Sequence, residues 1–367
     1  MAQYLHLYGS ESAFNAEYNG EDYREPWVSY TNDNASTEHV NYNKPEWEKL
    51  RGTPLTFEVT SDGDIKWSRS SKYGSSARTL YYTINGGPES SITSNSTTLS
   101  ASFPVVAGDV VRFYATYPSY ADRNSPGDHF SFSGTTCGFN LKGNILSLIN
   151  RYNFRTMDSV VITGYTVGRT FAYLFEYCTG LTNADKLIIP IKTLGTGTLS
   201  DLFIGCTSLR TPPDLTFIET MGDYGFLGMF SRCSNLQRAP ELPCMTLASQ
   251  CYQDMFYNCT SLTEAPELPA NTLALNCYGG MFQGCTGLTK APDLLAPVLA
   301  SYSYSYMFRD CTNINYIKCL ATDISADSCV SNWTSGVAAT GTFVKKAGVT
   351  WRSGIHGIPN GWTVIEV

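Results

Sequence analysis

Residues 246–269 read Thr246-Leu-Ala-Ser-Gln-Cys-Tyr-Gln-Asp-Met-Phe-Tyr-Asn-Cys-Thr-Ser-Leu-Thr-Glu-Ala-Pro-Glu-Leu-Pro. The chain then writes the same unit again as Thr272-Leu-Ala-Leu-Asn-Cys-Tyr-Gly-Gly-Met-Phe-Gln-Gly-Cys-Thr-Gly-Leu-Thr-Lys-Ala-Pro-Asp-Leu. A fixed period of this length marks stacked units, each too small to bury its apolar face alone. The period extends both ways. Phe175, Phe203, Phe230, Phe256, Phe282 and Phe308 hold one position, and Cys178, Cys206, Cys233, Cys259, Cys285 and Cys311 hold another. Six coils follow.

Within one coil, Leu247, Ala248, Cys251, Tyr252, Met255, Phe256 and Cys259 recur every three to four residues, which predicts a helix capped by Thr246. The run Leu262-x-x-Ala265-Pro266-x-Leu268-Pro269 predicts a short extended segment whose prolines limit pairing. The expected fold is therefore multidomain. A small N-terminal α+β segment (1–50) leads into an all-β sandwich (51–144). An α/β leucine-rich-repeat solenoid of about six coils (145–318) and a C-terminal β cap (319–367) follow.

The motif Met-Phe-x-x-Cys-Thr-x-Leu-Thr-x-Ala-Pro-x-Leu stands at residues 255–268 and 281–294, and more loosely at 229–242, where Ser234 and Gln237 replace its threonines. It resembles the BspA-like leucine-rich repeats of surface proteins of gut Bacteroidales and of their phages, over roughly residues 170–318. The resemblance implies a binding or display scaffold and brings no catalytic residue. Leu-Thr-Phe-Glu, Ala-Gly-Asp and Gly-Asn-Ile-Leu-Ser-Leu, in that order, resemble the β-domain that precedes such repeats and place a boundary near residue 145.

Length predicts two or three units, and a chain that is 43% hydrophobic and 16% charged can fill a core. A net charge of −7 without a basic stripe argues against nucleic acid. The opening Met1-Ala-Gln-Tyr-Leu-His-Leu-Tyr-Gly has no basic segment followed by an apolar run, so no signal peptide is read, and no stretch suits a membrane span.

Residues 4–8 predict a strand, 10–19 a helix, and 26–31 with 39–43 two more strands. Glu25-Pro-Trp-Val-Ser-Tyr-Thr31 and Val40-Asn-Tyr-Asn-Lys44 resemble an N-terminal segment of structural proteins of Bacteroides phages, the crAss-like group included. That resemblance implies a virion attachment module using Pro26, Trp27, Tyr30 and Tyr42. A plain hairpin packing on the next domain is equally compatible with these residues. Seven strands are predicted between residues 55 and 141, each bounded by turn signals. At the far end, 325–336 predicts a short helix, and 341–345 with 361–365 predict paired strands that cover the last coil.

Twelve cysteines without a Cys-x-x-Cys pair read as buried thiols packing as small hydrophobes, with zinc ligation or disulfides between coils as alternatives. Aligned coils put Asp214, Glu241, Glu267 and Asp293 in one column. Such a column is a solvated face, a partner site or a calcium site. In Ser301-Tyr-Ser-Tyr-Ser-Tyr306, Tyr304 matches the interior Tyr278, which leaves Tyr302 and Tyr306 as exposed contact candidates. No catalytic motif is found. His6, His39, His129 and His356 fall in separate segments, and His129 reads as a surface-loop residue within reach of Asp128 or Asp122. No cofactor and no metal site are expected.

These readings converge on a non-enzymatic virion structural protein, a head fibre or capsid decoration. It would assemble as a dimer or trimer, grip the capsid through its N-terminus and present the repeats to a host glycan, protein or mucin. The alternative is a BspA-type adhesin on the bacterial cell surface.

Overall fold

The computed structural model of the chain describes residues 44–69, 77–95, 100–117, 129–157, 169–242 and 244–367. The expected attachment residues Pro26, Trp27, Tyr30 and Tyr42 lie outside the described residues. The structure begins with an element the sequence reading did not contain, helix α1 (Lys44–Gly52). Pro45 stands in its first turn, where its missing N–H has no intrahelical partner to lose. Trp47 on α1 meets Phe217 of the second coil at 5.5 Å.

Eight strands follow: β1 (Leu55–Val59), β2 (Gly63–Arg69), β3 (Arg78–Ile84), β4 (Ser90–Ser94), β5 (Ser100–Val105), β6 (Val110–Tyr114), β7 (Phe130–Ser131) and β8 (Phe139–Asn144). The seven expected strands coincide with β1–β6 and β8. One sheet runs β4-β3-β6-β1-β8-β9 and a smaller one β5-β2-β7. Alternation puts Phe57, Phe113 and Trp67 inside, where Phe57 meets Phe113 at 4.9 Å, Phe132 at 4.8 Å and Phe139 at 4.2 Å. Strand β9 (Leu181–Ile188) belongs to the first coil and pairs in parallel with β8, so one sheet crosses the expected boundary near residue 145.

The repeats overturn the expected fold class. Among the described residues of the coils no α-helix forms, and residues 145–318 hold only two 3-10 turns, Ile145–Leu148 and Phe154–Thr156, so the α/β leucine-rich-repeat solenoid is not the architecture. The predicted helix at 325–336 is likewise a run of turns. Coil four shows what forms instead. Gln250, Asp254 and Asn258 have φ of 56°, 54° and 57°, one left-handed residue in every four. The N–H groups of Met255, Tyr257 and Cys259 bond three residues back, to Tyr252, Asp254 and Phe256. The alternate N–H groups, of Tyr252, Asp254, Phe256 and Asn258, bond outward to Cys277, Gly279, Met281 and Gln283 of the next coil. An α-helix sends every N–H four residues back and leaves none for a neighbour. This ribbon divides its donors between itself and the adjacent coil, and thereby satisfies the backbone in a stack.

Equivalent aromatic residues lie directly over one another. Phe132, Phe175, Phe203, Phe230, Phe256, Phe282 and Phe308 are spaced by 5.7, 5.5, 5.6, 5.8, 5.6 and 5.9 Å, with planes within 11° of each other. A second column runs Phe226, Tyr252, Tyr278, Tyr304. Both end on Trp333, 6.1 Å from Phe308 and 6.3 Å from Tyr304. The first rung, Phe132, comes from the β-domain. Its N–H donates to Leu174 O at 2.8 Å and its carbonyl accepts from Cys178 Sγ at 3.4 Å, the bonds that Phe175 makes with Leu202 and Cys206. The β-domain thus supplies a coil of its own and closes one end of the stack.

Elsewhere in the coils the extended segments are brief. Strands β10 (Thr193–Leu194) and β11 (Thr220–Met221) pair with each other, and isolated bridges such as Thr246–Thr272 and Thr272–Val298 join later coils. At the far end β12 (Tyr316–Cys319), β13 (Thr342–Lys345) and β14 (Thr363–Glu366) form a parallel sheet. Strand β14 is exposed along its whole length, including Val364 and Ile365.

Candidate binding surface

The stack's chemistry divides cleanly between inside and outside. Inside, the repeated cysteine is a structural donor. Cys206, Cys233, Cys259, Cys285 and Cys311 each direct the thiol to the phenylalanine carbonyl of the preceding coil, at 3.0, 3.2, 3.1, 3.0 and 2.9 Å. Burial pushes these thiols up, to about 12 at Cys311, so each holds its proton and reacts poorly. All twelve cysteines are free and buried.

The left-handed positions form three columns, whose members range from buried to exposed. In one, Tyr173, Asp201, Gly228, Asp254, Gly280 and Tyr306 succeed each other. Asp201 leans over Gly228 and Asp254 over Gly280, so closely that a Cβ on either glycine would sit 2.3 or 2.2 Å from the carboxylate oxygen above. Burial raises the pKa of both aspartates. Asp201 also accepts from Ser200 Oγ at 3.0 Å.

Tyr302 and Tyr306 face outward on the sixth coil, 42% and 38% exposed, while Tyr304 between them is buried. Both have left-handed backbones, with φ of 59° and 58°, an unfavourable conformation for a bulky side chain. Arg309 lies 5.6 Å from the Tyr306 ring. Val298, also exposed, bridges to Thr272. The equivalent positions are Thr246 and Thr272 for Val298, Tyr224, Gln250 and Asn276 for Tyr302, and Tyr173, Asp201, Gly228, Asp254 and Gly280 for Tyr306. Sequence reasoning missed Val298, although laying the coils on top of one another would have revealed it.

The acidic column is less uniform than its sequence alignment. Asp214 accepts from the N–H and hydroxyl of its own neighbour Thr216, at 2.8 and 2.7 Å. Glu241 and Glu267 are exposed. Asp293 accepts from Lys318 Nζ of the next coil at 2.7 Å and lies 3.7 Å from Lys290. The register of Asn183 with Thr211 sets Lys186 before Asp214, so lysines flank the column at both ends. Among the described residues, no group of three or more His, Cys, Asp or Glu side chains converges as a metal cluster.

His129 is not on a surface loop. It is buried at the seam between the β-domain and the first coil, with Nε2 2.8 Å from Glu176 Oε1 and its ring stacked on Tyr173 at 4.4 Å. His356 Nδ1 accepts from Asn332 N at 3.0 Å. His6 and His39 lie outside the described residues. The C-terminal segment adds a shallow, open depression bordered by Lys345, Trp351 and Glu366, which no sequence motif announced. Among the described residues, no helix is long and apolar enough to cross a membrane. Comparison with protein-family models, curated proteins and solved structures finds no match for this chain.

Proposed function

We propose that the chain is a non-enzymatic virion structural protein, a head fibre or capsid decoration, that presents its coil stack to a host glycan, mucin or surface protein. The observation that carries this reading is the sixth coil. Its interior repeats that of its neighbours, with Phe308 and Cys311 in their columns, yet its outer face carries Val298, Tyr302 and Tyr306. Two of them, Tyr302 and Tyr306, sit in a strained backbone conformation. Exposed tyrosines offer large contact area at little entropic cost. The motif's resemblance to surface proteins of gut bacteria and their phages supports the same reading. The segment containing Pro26, Trp27, Tyr30 and Tyr42 is assigned to capsid attachment, with assembly as a dimer or trimer.

The test has two arms. Mass spectrometry of purified particles detects the protein under the virion reading; recovery from a bacterial outer surface with no particle association would replace it with the adhesin. Host binding by the pure protein should fall at least about tenfold in Tyr302→Asn/Tyr306→Asn, a loss of roughly 1.4 kcal/mol. Unchanged binding removes this face from the contact.

A further inference from the structure

Three Asn-Gly pairs stand in the sequence, at residues 19–20, 85–86 and 360–361. The first lies outside the described residues. An asparagine followed by glycine can react with its own chain, because the glycine has no Cβ to shield its backbone nitrogen from the asparagine side-chain carbonyl. Asn85 and Asn360 are both exposed, so exposure does not separate them. Their hydrogen bonds do. Asn85, in the turn after β3, is held at both ends of its amide: Nδ2 donates to Asp109 Oδ1 at 2.8 Å, and Oδ1 accepts from Val110 N at 2.9 Å. The Asn360 side chain meets no hydrogen-bond partner among the described residues. Gly361 is exposed as well, and its N–H donates to no acceptor among those residues. Gly361 has φ of 81°, and Trp362 N donates to Pro359 O at 3.3 Å, which makes residues 359–362 a type II turn.

The turn fixes where β14 begins. Trp362 is buried and its Nε1 donates to Ala338 O at 2.8 Å, and Thr363 N donates to Gly341 O at 2.8 Å. Strand β14 lies at the edge of its sheet and pairs with β13 alone. We propose that Asn360 is a self-modification site: its side chain cyclises onto Gly361 N and opens to aspartate and isoaspartate, and the isoaspartyl form unlatches β14 from β13. In the first step hydroxide removes the Gly361 amide proton, the nitrogen bonds to Asn360 Cγ, and the Cγ–Nδ2 bond breaks. The departing nitrogen takes a proton from water and leaves as ammonia. Water then opens the cyclic imide. Cleavage between Gly361 N and Cγ leaves aspartate in an ordinary chain. Cleavage between Gly361 N and the backbone carbonyl carbon leaves isoaspartate, with the main chain running through Cβ and Cγ. That linkage adds a methylene to the turn that holds Trp362 and Thr363 in place. The inference stands apart from the attachment reading.

The full chain is held at mildly alkaline pH and physiological temperature, and samples are digested for mass spectrometry, which follows each Asn-Gly peptide separately. The expected result is conversion at Asn360 to two products of identical mass that separate on chromatography. The iso-linked product should accept a methyl group from a protein isoaspartate methyltransferase. Asn85 should convert at least roughly tenfold more slowly, since its amide must first give up two hydrogen bonds. Asp109→Ala frees Asn85 Nδ2 and should speed conversion there, and Asn360→Gln should leave its own position unconverted over the same interval. Hydrogen exchange at the Thr363 and Val367 amides, bonded to Gly341 O and Lys345 O, should quicken in the iso-linked fraction by about fivefold, the worth of one net hydrogen bond. It should stay unchanged in Asn360→Asp, which carries the new charge without the altered linkage. No conversion at Asn360, or conversion of Asn85 at the same rate, overturns the assignment. An unchanged Asn85 rate in Asp109→Ala overturns the hydrogen-bond account of the contrast. Conversion with unaltered exchange at Thr363 and Val367 overturns the unlatching.

Discussion

The β-domain and the coil stack both have interiors rich in phenylalanine and reach them by opposite routes. In the β-domain the rings come from strands distant in sequence, and Phe57 alone touches Phe113, Phe132, Phe139 and Phe175. In the stack, Phe256 has one ring before it and one after, at 5.8 and 5.6 Å, each a single period away. Interchangeable rungs leave each coil's outer face free to vary without disturbing the core, whereas a β-domain residue is constrained by several neighbours at once. That difference explains why the departures in the sixth coil are informative.

Alkaline pH should separate the two regions most strongly. Of the twelve thiols only Cys137 precedes the first coil. Burial holds the stack's thiols above their ordinary value near 9, to about 12 at Cys277, Cys311 and Cys319. Their contribution is complete below pH 9 and is lost as pH rises toward 12, because the unfolded chain releases protons first. The slope is up to about 1.4 kcal/mol per thiol for each pH unit above 9. Urea midpoints measured between pH 8 and 11 should fall steeply, with the stack unfolding before the β-domain; a flat profile would contradict the buried-thiol ladder.

Phe132→Ala tests the shared rung. It should cost about 3–5 kcal/mol, as a large core truncation does, and split one unfolding transition into two. Phe256→Ala should cost a similar amount within the stack while the seam stays intact. Hydrogen exchange resolved by region distinguishes these outcomes.

Gly280→Ala should destabilise by about 1–2 kcal/mol from its left-handed backbone, plus the clash with Asp254. Adding Asp254→Gly, which removes the carboxylate at a position that is itself left-handed, should relieve the clash and leave the backbone strain at residue 280, which thermal melts of the single and double variants will show. Smallest is Tyr306→Asn, since asparagine tolerates this conformation better. A gain of about 0.5 kcal/mol is expected, alongside weaker host binding. A stability loss would mean that Tyr306 serves the fold.

The helix reading failed for an instructive reason. Cys251 with Tyr252, and Met255 with Phe256, repeat at a strict four residues, as does Cys259. On a helix that spacing drifts about 40° at each step, so the stripe would leave the buried face. The same stretch places Asp254 and Asn258, then Asn276, Gly280 and Gly284, at the positions that must turn left-handed. These residue types accept that backbone readily, and their spacing was the available sign of linked turns.

The period and the identity of the stacked residues were fixed by the linear chain, because each rung recurs one unit later and needs only local register. The strands of the β-domain were legible for a related reason, since alternation and turn residues are local signals. Only the folded chain decided that Phe132 would serve as the first rung, that β9 would extend the sheet of β8, and that His129 would meet Glu176 at the seam. It also decided that Trp351, alone among the described tryptophans that line the buried core, would be left without an acceptor. These pairings join segments with no shared period, and their partners are selected by which surfaces remain to be covered once the local units have formed.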